Sequence, residues 1–212
     1  MLENVHWLGH DSFRFDGSVT VYVDPWKLPT GQPPADVILV THDHFDHLSL
    51  PDIKAVAGPG TVVVGPASVT SQVEGMSTVT VAPGESTEAA GVAVEAVPAY
   101  NLDKFREPGV PFHPREAGYV GYVFTLDGVR YYHAGDTDAV PEMREVRCDV
   151  ALLPVSGTYV MTHDEACGAC DMVTAAVAVP MHYGDIVGDA GDAEAFRAGC
   201  SLPVTLLPLE GG

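Results

Sequence analysis

Thr41-His42-Asp43-His44-Phe45-Asp46-His47-Leu48 follows directly on the apolar segment Asp36-Val37-Ile38-Leu39-Val40, and these two adjoining stretches decide how the chain is read. Imidazole is a borderline ligand suited to zinc, iron or manganese, and carboxylate extends the choice toward harder cations. Side chains alternate along an extended chain, so His42 and His44 project to one side if the strand continues through them. A turn beginning near Phe45 then carries Asp46 and His47 to the neighbouring side, which feeds two metal positions rather than one. The bland alternative is an exposed acidic, imidazole-rich turn. It is disfavoured because so much polarity beside a core strand is costly to bury without partners.

The 212 residues suit one domain spanning 1–212, with ample length for a real core. Ten Lys and Arg against 29 Asp and Glu leave a formal charge of −19. Such a field repels phosphate backbones and excludes general nucleic-acid binding. Adaptation to high salt and ordinary acidic solubility are both compatible with it. No apolar run approaches the roughly 18 residues of a membrane span. The start Met1-Leu2-Glu3-Asn4-Val5-His6 lacks a basic region followed by an apolar one, so the cytoplasm is the default location. Cys167-Gly168-Ala169-Cys170 has the spacing of a redox or zinc pair, but no second pair completes a four-thiolate site. Small, half-buried core residues are the favoured reading of these thiols.

Strand-like runs occupy residues 5–8, 12–15, 19–23, 37–40, 62–64, 78–81, 92–97, 119–126, 129–132, 150–153, 177–179 and 204–207. Asp127-Gly128 joins the eighth and ninth as a type I′ hairpin signal. Helical patterns cover 50–57 after the cap Ser49, 67–73, 164–176, and 192–198 capped by Asp192. Strands interrupted by single helices predict helices packed outside two sheets. Residues 101–116, rich in Pro and charge, read as a long functional loop.

Two further strand ends carry ligand-type residues: Tyr132-His133-Ala134-Gly135-Asp136-Thr137-Asp138, and Pro180-Met181-His182-Tyr183-Gly184. Each alone is weak. Taken with Asp24 at the end of a strand and His42-x-His44-x-Asp46-His47, they resemble the metallo-β-lactamase superfamily across nearly the whole chain. More narrowly, Leu8-Gly9-His10-Asp11-Ser12-Phe13 and Val23-Asp24-Pro25-Trp26 are similar to metal-dependent hydrolases related to the L-ascorbate-6-phosphate lactonase branch.

The resemblance implies an αβ/βα sandwich, of α+β or α/β class, with the site at one edge between the sheets. It implies that His42 and His44 bind a first metal and that Asp46, His47 and His182 bind a second. Asp136 would bridge the two, with Asp24 orienting a ligand imidazole. Asp46, His47 and Asp136 would stand at the reacting centre. The family's third histidine for the first metal is missing: Val97-Pro98-Ala99-Tyr100-Asn101 stands where it is expected. Asn101 and Tyr100 are poorer ligands than imidazole, and His113 in the long loop is the nearest substitute.

The remaining histidines promise less. His133 reads as packed or as supporting a ligand, His10 as structural or overhanging the site, His163 as a helix cap or pocket wall, and His6 as structural. The implied chemistry is attack by a metal-acidified hydroxide on a small ester, lactone or phosphodiester, with one or two zinc, manganese or iron ions. Lys104, Arg106 and Arg115 in the long loop offer positive charge to an anionic substrate, against the plain reading of a solvated loop. A di-iron redox protein and a binding protein without turnover are the alternatives. Self-association is left open.

Overall fold

The computed structural model describes residues 1–211. β1 (Val5–Gly9), β2 (Ser12–Asp16), β3 (Thr20–Val23), β4 (Ala35–Leu39), β5 (Ala57–Gly65) and β6 (Ser77–Thr80) lie side by side in that order in one six-stranded sheet. β1 to β3 form an antiparallel meander, and β3 to β6 run parallel. α1 (Leu50–Val56) and α2 (Ala67–Thr70) fill the crossovers that parallel strands require.

The second sheet is built from β7 (Ser86–Ala89), β8 (Val92–Pro98), β11 (Val120–Leu126), β12 (Val129–His133), β13 (Val150–Pro154) and β14 (Val177–Met181), in the spatial order β14-β13-β12-β11-β8-β7. A small hairpin, β9 (Phe105–Glu107) with β10 (Val110–Pro111), projects from the long loop between β8 and β11. α3 (His163–Cys170) and α4 (Ala190–Gly199) cover the outer face of this sheet.

The alternation of β4 shows how the layers arise. Val37 and Leu39 join Phe13, Phe15, Val21 and Val23 in the core between the sheets, facing Tyr122 and Phe124 of β11. Ile38 and Val40 point the other way, onto Ile53, Val56 and Val69 of the helices. A strand buried on both faces must be apolar throughout, as 37–40 is. Phe15 packs edge-on against Phe124, with ring centroids 5.0 Å apart, and so ties the two sheets. The αβ/βα sandwich expected from the sequence is the observed architecture.

Strand ends gather the functional segments. β4, β12 and β14 deliver residues 41–47, 134–138 and 182 to one edge of the sandwich, where the β1–β2 turn also lies. Two glycines make the approach possible. A Cβ on Gly121 would sit 2.5 Å from the Ala134 carbonyl oxygen. Gly135 has φ +64°, and a Cβ there would meet the Val120 carbonyl oxygen at 3.0 Å and Thr41 at 3.1 Å.

Several element boundaries differ from expectation. The last helical turns of 164–176 are absent because the Thr174 N–H bonds the Val146 carbonyl instead of continuing α3. α2 stops at Thr70, where the Gln72 side chain takes the Ser68 carbonyl. α4 begins two residues earlier than expected, capped by Asp189 with Asp192 completing a capping box. Residues 204–207 form no strand: Val204 makes one bridge to Ala178, and Pro203 and Pro208 on either side cannot donate to a ladder. β7, β9 and β10 escape sequence reading because they are edge strands of two to four residues, too short to show an alternating pattern. All four cysteines are free, and burial pushes the Cys167 and Cys170 thiols upward, as for packed core residues rather than reactive ones.

Candidate metal centre

His42 Nε2 and His44 Nδ1 lie 3.0 Å apart, and His113 Nε2 lies 3.2 Å from the same His44 atom. These three nitrogens form a converging cluster with the separations expected around one divalent ion. His113 reaches it from the long loop by a local device. Asn101 Oδ1 accepts the His113 backbone N–H at 2.8 Å and faces its ring Nδ1 at 3.0 Å, while Asn101 Nδ2 donates to the Tyr159 carbonyl at 2.8 Å. The residue standing where a histidine is expected therefore orients His113 into the cluster with His42 and His44. Tyr100 turns away, its hydroxyl donating to Glu142 at 3.0 Å. Asp138 fixes the start of the loop by accepting the Leu102 and Asp103 N–H groups.

The second cluster contains His10, Asp11, His47 and His182, whose ligand atoms again converge. Asp136 spans both clusters: Oδ1 is 3.4 Å from His47 Nε2, and Oδ2 is 3.2 Å from His182 Nε2 and 3.3 Å from His113 Nε2. His47 Nδ1 is held by Asp24 Oδ2 at 2.8 Å, and Asp24 also accepts from the Thr41 backbone N–H and hydroxyl. His182 Nδ1 lies 2.9 Å from Ser156 Oγ. With the far nitrogens so engaged, both Nε2 atoms point inward. Asp46 does not join either cluster; its Oδ2 lies 3.3 Å from His10 Nε2.

His10, Asp24 and His182 have φ of +52°, +46° and +59°. Non-glycine residues persist there only when their surroundings over-determine them, and such strain concentrates at working sites. The electrostatics are equally polarised. Burial alone would raise the Asp136 carboxyl, but the His182 and His47 imidazoles outweigh it and hold it well below the ordinary range. Burial would lower His47, yet Asp136 and Asp24 raise it well above. Burial, with His47 adding to it, drives His42 well down, and burial lowers His113 to about 4. Burial lifts Asp11 to about 8 against the opposing pull of His10.

The donor set fits divalent ions. Both oxygens of Asp11, both ring nitrogens of His10, Nε2 of His47 and of His182, and Oδ1 of Asp136 are buried without a hydrogen-bond partner. Each such group costs about 1–3 kcal/mol when left unsatisfied. A cluster of imidazole and carboxylate atoms left in this state is what bound cations would satisfy.

His44, Asp46, His113 and Asp136 line the floor of a cavity of about 370 Å³ whose walls are Phe45, Phe112, Tyr159, Ile186 and Val187. Phe45 is 69% exposed and stands at its mouth. Two of the three loop cations are paired away from it. Lys104 bonds Glu165 at 2.9 Å and lies 3.5 Å from Asp138, Arg115 bonds Glu142 at 2.7 Å, and Arg106 lies over the Phe112 ring. Among the described residues, no Lys or Arg lines this cavity.

His133 packs edge-on against Phe13 and bonds the Asp11 carbonyl through Nε2, so it supports the site from behind. His6 pairs with Asp16 and Glu210 at the chain's other surface. His163 begins α3 beside Asp164, but Thr162 is the cap. Sequence reasoning missed Asp11. Its signals were its place in the Leu8–Phe13 motif and a carboxylate inside a hairpin turn next to His10.

Comparison with known proteins agrees with this geometry. Residues 4–182 match the family described as Beta-lactamase superfamily domain. A UPF0173 metal-dependent hydrolase from Methanoculleus marisnigri is 35% identical over 197 residues, covering 90% of this chain and 85% of the relative. A relative of the same name from Archaeoglobus fulgidus is 34% identical over 215 residues, covering 91% and 88%. The crystal structure of a Parabacteroides distasonis protein named as a metal-dependent hydrolase superposes with a TM-score of 0.84 at 30% identity, covering 97% of this chain and 93% of that one. Igni18, a metallo hydrolase from Ignicoccus hospitalis, shares the fold with a TM-score of 0.74 at 23% identity, covering 96% and 94%. The chain therefore belongs to the UPF0173 metal-dependent hydrolases of the metallo-β-lactamase superfamily.

Proposed function

We propose that this protein hydrolyses an uncharged carboxylic ester or lactone bearing an apolar group, using divalent ions with zinc in first place. The observation that carries the reading is the buried set of unpartnered His and Asp atoms, which meets the floor of an apolar cavity at Asp136. His42, His44 and His113 would hold one ion, His47 and His182 the second, and Asp136 would face both. Three imidazoles suit zinc, while the carboxylate-containing second position also accepts manganese or iron. Divalent ions bound there supply Lewis acidity toward a carbonyl oxygen and bring the pKa of water near neutrality.

The protein's own groups do the rest. Phe45, Phe112, Tyr159, Ile186 and Val187 hold the apolar part of the substrate and exclude water from the reacting carbonyl. Asp46 stands on the cavity wall, placed to accept a proton from the attacking water and return it to the leaving alcohol. A phosphodiester or a phosphorylated lactone fits less well, because Lys104 and Arg115 are paired with Glu165 and Glu142, no Lys or Arg among the described residues lines the cavity, and the net charge is −19. Four free cysteines accord with a reducing compartment such as the cytoplasm.

The test is a parallel assay of neutral acyl esters, lactones and phosphodiesters with protein purified without chelator. Activity on the neutral esters or lactones should vanish on chelation and return with zinc or manganese. Preference for a phosphodiester, or a chain that takes up no metal, would overturn the proposal. A visible absorption band in the isolated protein would point to di-iron chemistry instead.

A further inference from the structure

We infer that Asp11 is a direct ligand of the second ion, in the role the His-x-His-x-Asp-His pattern would give to Asp46. The inference rests on the metal-dependent reading above and concerns which side chain completes that position.

Asp11 is fully buried in the β1–β2 turn, and neither carboxylate oxygen has a hydrogen-bond partner. Its Oδ2 lies 3.5 Å from His10 Nε2, 3.7 Å from His47 Nε2 and 3.8 Å from His182 Nε2. Those distances are too long for hydrogen bonds. Atoms sharing a cation through bonds of about 2.0–2.2 Å in tetrahedral array lie about 3.3–3.6 Å apart, so the His47 and His182 nitrogens stand only about 0.1–0.2 Å beyond that range from Asp11 Oδ2. The carboxylate is not there by slack in the turn, since the His133 ring nitrogen fixes the Asp11 carbonyl at 2.9 Å.

Asp46 is differently placed. Its Oδ2 meets His10 Nε2 at 3.3 Å, and its carboxylate borders the open cavity. His10, between the Asp11 and Asp46 carboxylates, holds Asp46 away from the ion position. Asp46 is thereby left free for proton transfer.

Wild type, Asp11→Asn and Asp46→Asn should be stripped of metal and titrated with cobalt(II) and with zinc against a chromophoric chelator. In Asp11→Asn the first equivalent should bind as in wild type. The second should weaken by more than about 100-fold, beyond what an outer partner is worth, and its cobalt d–d band should be lost. Asp46→Asn should retain both equivalents. Two-ion binding unchanged in Asp11→Asn, or a second ion lost in Asp46→Asn alone, overturns the assignment while leaving the metal-dependent function standing. Wild type that binds no ion sinks both. Should a variant not fold, zinc-loaded wild-type crystals give the same decision: an Asp11 oxygen about 2.0–2.2 Å from zinc is expected, and an oxygen outside bonding distance overturns the inference.

Discussion

Replacing Asn101 by alanine tests how the first cluster is assembled. The side chain accepts the His113 backbone N–H, faces its ring Nδ1, and donates to the Tyr159 carbonyl. Alanine leaves these three groups without their partner in a buried setting, each at about 1–3 kcal/mol. Asn101 lies close enough to the surface for water to recover part of that, so the low end applies. About 3 kcal/mol is then lost from a total of about 5–15 kcal/mol. For a chain of this size that lowers Tm by about 6–12 °C. The freed His113 ring should also weaken first-site metal affinity about 10–100-fold, or about 1.4–2.7 kcal/mol. Calorimetry of the metal-free protein and chelator competition read the two effects separately. Asn101→Asp keeps the acceptor and should recover most of the affinity. Unchanged Tm and unchanged affinity in Asn101→Ala would refute the reasoning. A loss of affinity larger than that of His113→Ala would mean that Asn101 is itself the ligand.

Phe45→Ala should raise KM for esters with large apolar groups about 5–30-fold, the equivalent of about 1–2 kcal/mol of apolar contact. Metals per chain should not change, since Phe45 touches the cavity mouth rather than the clusters; equal kinetics for small and large esters would remove it from substrate contact. Gly135→Ala meets both an unfavourable φ and the Val120 carbonyl, and should cost about 2–3 kcal/mol in urea denaturation while displacing the adjacent Asp136. Glu210 gives a pH prediction. Burial would raise its pKa, but hydrogen bonds from Arg14 and Gln32 hold it below the ordinary 4.5. Its stabilisation is therefore present above that value and lost as pH falls through the lowered one. Glu210→Gln should cost at most about 1 kcal/mol near neutrality and nothing in strong acid, because the pair is partly exposed. A deficit that grows on acidification would contradict this.

Much of this was readable in advance because it rests on local pattern. A doubly buried parallel strand must be apolar, and Val37-Ile38-Leu39-Val40 ran straight into the histidine motif, which located both the sheet and its functional end. Asp127-Gly128 specified its hairpin through backbone conformation alone, with φ of +49° and +82°. What stayed hidden depends on contacts distant in sequence. His113 was only one candidate until Asn101 was seen to aim it, and Asp11 carries no pattern of its own beyond its place in the Leu8–Phe13 motif beside His10. That Asp11 rather than Asp46 lies among the atoms of the second cluster follows from the β1–β2 turn, which spacing along the chain does not reveal. Lys104 and Arg115 looked available for substrate because their acidic partners, Glu165 and Glu142, lie far along the chain.

The site's position at one edge has a mechanical consequence. His42, His44, His47 and Asp11 hang from the first sheet, and Asp136, His182 and His113 from the second. At the far end of the sandwich the sheets are already joined, where the Ser18 N–H donates to the Asp127 carboxylate at 2.7 Å. Ions held as proposed would act as a clasp across the site edge, adding to the bonds from the Val120 N–H to the Thr41 carbonyl and from the His182 N–H to the His10 carbonyl, with the far end as its hinge. Loading would favour the closed arrangement by mass action and raise the unfolding temperature with metal concentration. Releasing the clasp would free the edge first, so amide exchange after chelation should accelerate around 9–12, 41–48 and 101–116 before it reaches the Phe15–Phe124 contact.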